Sequence, residues 1–233
     1  MTMRTILETD QDYICDIQAP CFQLLHPEEA ALVRSAKTQV LFRKEDNLTK
    51  QGAFASYVLF LISGWVKQYI EGDSNRSFNI RIFRPGEFIG LSAVFDKHTF
   101  SYSALALTEC QAILIEKEAV SKLIRENGEF GYLMMNRYTG LNNDLYQTLQ
   151  KVLYKQMHGR LAATLLYIDT FRAENPEIFQ LLSRKEIADF TGISTESAIK
   201  LLKNFEKEGL IELHEKDIRL INLQALTDIS RKG

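Results

Sequence analysis

The sequence predicts an α+β chain with an amino-terminal β-roll of jelly-roll type, a long helix and a carboxy-terminal winged helix-turn-helix domain. Three observations carry this reading. Short β-rich runs punctuated by glycine fill the first half of the chain. A helical pattern without proline runs from Phe130 to about Met157. Leu182 to Asn222 then reads as helix, tight turn, helix and two short strands. The corresponding boundaries are residues 1–128 for the roll, 129–157 for the long helix and 158–233 for the terminal domain.

The opening MTMRTILETDQDYI has no apolar signal-peptide core, so the expected location is the cytoplasm. A short helix is expected over Pro27 to Ala36. The β-rich runs are Gln39 to Phe42, Tyr57 to Ile62, Val66 to Ile70, Phe78 to Phe83 and Ser103 to Ile115, with Gly52, Gly64, Gly86 and Gly90 at turns. Several short strands so spaced suggest a compact barrel or jelly roll. Pro85 to Gly90 is the most specific element, a turn entering a short buried segment, and Gly90 would let backbone approach a ligand closely or simply make a tight corner.

In the long helix Met134, Tyr138, Leu141, Leu145, Leu149 and Val152 recur every three or four residues. The row spans about 18 residues, close to five turns, which suits a dimer seam better than packing on the roll. His158-Gly159-Arg160 reads as a hinge before a further helix, Leu161 to Ala173.

The terminal segment is the most informative. Ser183 with Glu186 three residues on forms a capping box, and Ile187, Ala188 and Phe190 give the first short helix an apolar side. Gly192 supplies the freedom for a sharp turn, and Ile193 plugs the corner. Ser194 caps a second helix whose apolar positions are Ala198, Leu201, Leu202 and Phe205. Thr195, Glu196, Ile199, Lys200, Lys203 and Asn204 are left facing outward, Gly209 ends the helix, and Leu210–Leu213 with Ile218–Ile221 make a wing. A short helix, a turn and a polar-faced second helix place side chains in a DNA major groove.

Charge permits this reading without carrying it. The net charge is −2, and the basic Arg184, Lys185, Lys200, Lys203, Lys207 and Lys216 are matched by Glu186, Asp189, Glu196, Glu206, Glu208, Glu212 and Glu215. DNA affinity rests on cation–phosphate contacts, so a basic face must be built by geometry, with Lys200, Lys203 and Lys207 on one helix side. At 233 residues with 45% hydrophobic and 25% charged residues, the chain reads as two ordinary soluble domains with no membrane span. Three cysteines do not suggest a disulfide framework.

A β-roll with an RPGEFIG turn, a long helix and the element ISTESAIKLLKNFEKEGLI together resemble the Crp/Fnr family of bacterial transcription regulators, from about residue 25 to residue 225. The resemblance implies a homodimer on a near-palindromic double-stranded DNA site, RNA polymerase as a further partner, and an unidentified small-molecule effector at the roll. It carries base-reading positions onto Thr195, Glu196 and Lys200, and phosphate positioning onto Ser183, Arg184, Ser194, Ser197 and Lys203. Glutamate accepts from a cytosine amino group and lysine donates to guanine. Glu196 and Lys200, four residues apart, could equally form an exposed ion pair.

The sensor departs from the family's cyclic-nucleotide binders. These place glutamate directly after the GxFIG glycine and arginine about ten residues later. Here Leu91 follows Gly90, and Phe100 or Ser101 holds the arginine position. Burying a phosphate without a cation is costly, which argues against cyclic AMP. The cofactor is therefore unknown. On strand 78–83 alternation alone points Phe78, Ile80 and Ile82 inward and leaves Arg81 solvated. The resemblance turns Arg81 and Phe83 toward a ligand instead, and Arg81 with Gln68 would suit an anionic or amide-bearing molecule lined by Gly90, Leu91, Phe100, Ser101 and Tyr102. The effector is expected between the roll and the long helix, near Tyr138 to Leu145.

An iron–sulfur or haem-dependent redox or gas sensor is the alternative. Cys15, Cys21 and Cys110 offer three thiolates where a cluster takes four, and His26, His98, His158 and His214 show no metal spacing, so no metal site is assigned. A cupin-type enzyme would need histidine and carboxylate ligands on neighbouring strands, and His98 is alone in the roll, so no catalytic residue is assigned. A nucleotide-gated scaffold that never touches DNA is disfavoured by the intact helix-turn-helix.

Overall fold

The computed structural model describes residues 3–73, 76–95 and 99–232. They form two compact units, Met1–Glu71 with Arg81–Asn143, and Gly72–Ile80 with Asp144–Gly233.

The amino-terminal half carries strands β1 (Arg4–Ile6), β2 (Lys37–Phe42), β3 (Asn47–Thr49), β4 (Tyr57–Ser63), β5 (Val66–Glu71), β6 (Ser77–Phe83), β7 (Phe88–Ile89), β8 (Ser103–Ala106) and β9 (Cys110–Glu116). Helices α1 (Pro20–Gln23), α2 (Pro27–Ser35) and α3 (Lys117–Glu126) flank them, and a 3-10 turn spans Leu91–Val94. One sheet has the order β1-β2-β9-β4-β7 and the other β3-β8-β5-β6. The run Ser103 to Ile115 is thus two strands rather than one, because the chain leaves one sheet and enters the other at residues 107–109. There Leu107 N donates to Trp65 O at 2.8 Å.

β4 explains its own unbroken apolar run, since both of its faces are buried. Val58 and Phe60 join a core with Phe22, Val33, Phe88, Ile113, Val120, Phe130 and Met134. Leu59 and Leu61 join a second core with Val40, Phe42, Phe83, Ile89, Ala104 and Ala112.

The long helix α4 spans Gly128–Tyr154, and Asn127 Oδ1 caps it by accepting from Phe130 N at 2.9 Å. Its expected apolar row divides. Met134 is buried in the first core, Tyr138 packs against that core and Leu141 against the second. The part facing away runs Tyr132, Met135, Tyr146, Leu149 and Leu153, all exposed. With Thr139 and Asn142 between them, these positions alternate by three and four, the heptad spacing of a two-helix seam.

Four helices and a hairpin complete the second unit: α5 (Met157–Asp169), α6 (Arg184–Thr191), α7 (Thr195–Lys207), strands β10 (Ile211–His214) and β11 (Asp217–Leu220), and α8 (Leu223–Lys232). His158, Gly159 and Arg160 lie inside α5 and are no hinge. The corner falls at Lys155–Gln156, where Arg160 Nε donates to Lys155 O at 2.7 Å and so stiffens the break. Leu161, Leu165, Ile168, Ile187, Phe190, Phe205, Ile218 and Leu226 are fully enclosed and make this unit's core. Segment 72–80 belongs here too, and Asn79 is buried with its amide donating to Glu186 O at 3.1 Å. Phe78 and Ile80 are only half-buried while Asn79, Ile82 and Phe83 are fully buried, so β6 departs from simple alternation. Among the described residues no helix is long and apolar enough to cross a membrane.

Candidate functional site

The helix-turn-helix is built by local chemistry. Ser183 Oγ accepts from Glu186 N at 3.2 Å while Ser183 N donates to Glu186 Oε2 at 2.6 Å, so both halves of the expected capping box form at the start of α6. Gly192 ends that helix at φ 70°, a left-handed conformation that favours glycine. Ser194 Oγ accepts from Ser197 N at 3.2 Å and starts α7. Ala198, Leu201, Leu202 and Phe205 bury one side of α7.

The opposite side presents Glu196, Lys200, Lys203 and Asn204 to solvent, with Thr195 and Ser197 half-buried at its first turn and Ile199 39% exposed. Among the described residues Glu196 and Lys200 form no ion pair, so each is free to reach a base edge. Ser183 and Ser194 are exposed at the two helix starts. Arg184 is placed differently. It is half-buried, and its Nη2 donates to Glu215 O at 3.1 Å, tying the wing turn to α6. Burial lowers its pKa, and Asp217 and Glu206 oppose that shift.

Lys151 escaped the sequence reading. Its ammonium lies inside the second unit and donates to Phe190 O at 2.8 Å, at the carboxy-terminal end of α6. The free carbonyls there carry partial negative charge. Burial, with Lys155 and Arg160 adding repulsion, holds its pKa down at about 8. Only packing reveals this contact.

In the roll, Arg81, Phe83, Gly90, Phe100 and Tyr102 come together, whereas the expected pocket residue Leu91 is buried in the other core, with Phe22, Val58 and Phe60, because the turn after Gly90 carries it there. The Tyr102 hydroxyl accepts from Gly90 N at 2.7 Å, and burial pushes the phenol up to about 12. The Phe83 and Tyr102 rings lie 6.3 Å apart, and Leu91 is buried. Phe100 presses so closely on Gly90 that a Cβ there would lie 2.7 Å from its ring. Ser101 is exposed, and Gln68 is half-buried at its place on β5.

Alternation along β6 mispredicted Arg81. Its side chain is only 11% exposed, it lies 4.8 Å over the Phe83 ring, and Nη2 pairs with Glu87 Oε1 at 2.5 Å. The cation expected to meet an anionic ligand is already met by Glu87, a residue the sequence reading did not consider. Arg137 was missed as well, and its Nη1 donates to Gly86 O at 3.1 Å, linking the RPGEFIG turn to α4. Near the expected effector region, Tyr138 meets Phe95 at 6.0 Å.

The thiols do not converge. Cys15 is exposed, while Cys21 and Cys110 are buried in different cores. Burial raises the pKa of both buried thiols, Cys110 to about 11. Among the described residues no three His, Cys, Asp or Glu side chains gather as metal ligands, and His98 lies outside those residues.

Comparison with known proteins matches both parts. The family model of the cyclic nucleotide-binding domain covers residues 39–127, and that of the Crp-like helix-turn-helix domain covers residues 159–229. The transcriptional regulatory protein btr of Bordetella pertussis is 30% identical over 71% of this chain and 70% of its own length. A CRP-like cAMP-activated global transcriptional regulator of Mycobacterium tuberculosis is 23% identical over 92% of this chain and 97% of its own. The solved structure of FixK2 from Bradyrhizobium japonicum has a TM-score of 0.75 at 20% identity, covering 84% of this chain and 98% of that one. A transcriptional regulator of the crp/fnr family from Eubacterium rectale has a TM-score of 0.77 at 17% identity, covering 91% and 98%. Together with the roll and the capped helix-turn-helix, these likenesses place the chain in the Crp/Fnr family of DNA-binding transcription regulators.

Proposed function

We propose that this regulator acts in the cytoplasm as a homodimer, that each protomer lays α7 in one half-site of a near-palindromic operator, and that a signal other than cyclic AMP gates it at the roll. The observation that carries the DNA reading is the outward row on α7, where Glu196, Lys200 and Lys203 are exposed and mutually unpaired among the described residues while the opposite face is buried. Thr195, Glu196 and Lys200 read bases, and Ser183, Ser194, Ser197 and Lys203 position phosphates. Arg184 contributes through the wing it holds. The exposed row of α4 pairs with its copy, and RNA polymerase is the further protein partner. The chain itself catalyses nothing.

Against cyclic AMP stands the crowding around Gly90. Phe100 and Tyr102 lie against Gly90, with Phe83 beside Tyr102, and Arg81 already neutralises Glu87. A phosphate would have to displace that carboxylate and find a cation elsewhere. Selection from a random duplex pool, read by gel shift, tests the DNA reading. Enriched sequences should hold two inverted half-sites about 34 Å apart between centres. A pool that enriches no inverted repeat sinks it. Calorimetry with cyclic AMP tests the sensor reading, and saturable micromolar binding overturns that part alone.

A further inference from the structure

Outside the roll's pocket, a cavity of about 250 Å³ opens between the arm 15–18, the α1 segment and helix α2. Its lining is mixed: Ile17, Phe22, Ala30 and Val33 form an apolar side, and Asp16, Gln18, Gln23 and the two cations Arg34 and Lys37 form a polar one. An apolar side facing a polar one suits a ligand with both characters, and drug-sized ligands fill such sites from roughly 300 Å³ upward. The volume here therefore fits a smaller molecule.

The charge balance selects the ligand's polar end. Asp16 is the acidic member of the lining, and Arg34 Nη1 meets it at 2.8 Å. Lys37 Nζ donates to the carbonyls of Ile14 and Cys15 and lies 4.8 Å over the Tyr13 ring. Two carbonyls leave one ammonium proton for another acceptor. Burial lowers the Lys37 pKa, so its charge is incompletely solvated and an added anion would compensate it.

We propose that this cavity binds a small amphipathic carboxylate, its carboxyl on Lys37 and Arg34 and its apolar body against Phe22 and Val33. The site is also placed to matter. Phe22 meets Phe130, in the first turn of α4, edge-on at 5.6 Å, and Phe88 of the RPGEFIG turn at 5.8 Å. An occupant that moves Phe22 therefore bears directly on the seating of α4. Binding here does not depend on the DNA reading, and the two fail separately.

Calorimetry on the full chain with hexanoate, hexanol and inorganic phosphate provides the test. Hexanoate should bind saturably, with hexanol at least tenfold weaker and phosphate showing no saturable heat. Ala30→Leu, which adds methyl groups to the wall on α2, should abolish hexanoate binding. Arg34→Gln and Lys37→Met should each weaken hexanoate at least threefold while leaving hexanol unchanged. Because Lys37 also anchors the arm, Ala30→Leu and Arg34→Gln keep the test decisive should Lys37→Met fail to fold. Absent hexanoate binding, equal binding of hexanoate and hexanol, phosphate binding as tightly as hexanoate, or indifference to Ala30→Leu overturns the proposal.

Discussion

Leu149→Asp with Leu153→Asp should turn the proposed dimer into a folded monomer. The two leucines are 47% and 68% exposed in the single chain, so their exposed parts remain available for burial by a second copy. Burying a whole leucine stabilises by about 1.5–3 kcal/mol, so the remainder is worth roughly 1–2 kcal/mol for each. Four such side chains across a twofold seam then contribute about 4–8 kcal/mol, a factor of 10³ or more in the dissociation constant. Aspartates facing each other add the cost of desolvating like charges. The protomer should hardly notice, because substitutions at exposed sites usually change stability by less than about 0.5 kcal/mol. Met134→Asp is the contrast, since Met134 is fully buried in the roll's core and its loss should lower the melting temperature. Leu141→Asp should also act mainly on the roll, against which Leu141 packs. Sedimentation velocity at micromolar protein, beside a thermal melt, reads both quantities. A double aspartate variant that stays dimeric refutes the seam, and so does a wild-type chain that is already monomeric.

Lys200→Ala should cost about 1–3 kcal/mol on the selected operator and relax one base preference per half-site, whereas Lys203→Ala should weaken all duplexes alike and flatten the salt dependence. Binding titrations on selected and random duplex at two salt concentrations compare them, and equal losses on both duplexes for both variants would contradict that division. Glu87→Ala should destabilise the roll, because Arg81 and Glu87 are only 11% and 24% exposed and the variant removes the carboxylate that meets a largely buried guanidinium. Arg81→Met with Glu87→Met should recover most of the lost stability, and denaturant melts that rank the double variant below the single one would argue against a buried pair. Lys151 makes the carboxy-terminal unit pH-sensitive. Its folded pKa of about 8 lies below the ordinary 10.5, so the unfolded chain binds more protons between those values and this group's contribution to stability rises as pH climbs from 8 toward 10.5. Lys151→Met should remove that rise, and melting curves at pH 7.5 and 9.5 with the same slope in both proteins would show that the proton is not Lys151's.

The helix-turn-helix was legible almost residue by residue because everything that makes it is local. The serine caps act on amides three residues away, and Gly192 acts on its own backbone. The longer strands of the roll were legible as apolar runs, though not where Ser103 to Ile115 changes sheets, and the three-residue β1 and β3 went unread because they are too short to show a pattern. Helices α3 and α8 went unread. Their apolar faces are short and gain meaning only from partners distant in sequence, as when Leu123 joins Phe22 and Val58 in one core.

Sequence alone determined the family architecture, the capped recognition helix and its outward residues, because periodicity and capping act within a few positions of one another. Tertiary structure decided which face of α4 belongs to the roll and which is left exposed, since Met134, Tyr138 and Leu141 meet cores built largely from strands far away in the chain. It also decided the fate of Arg81. A strand's alternation says which side a residue takes, but only the fold brings Glu87 and the Phe83 ring around a guanidinium and turns an apparently solvated cation into a buried, paired one.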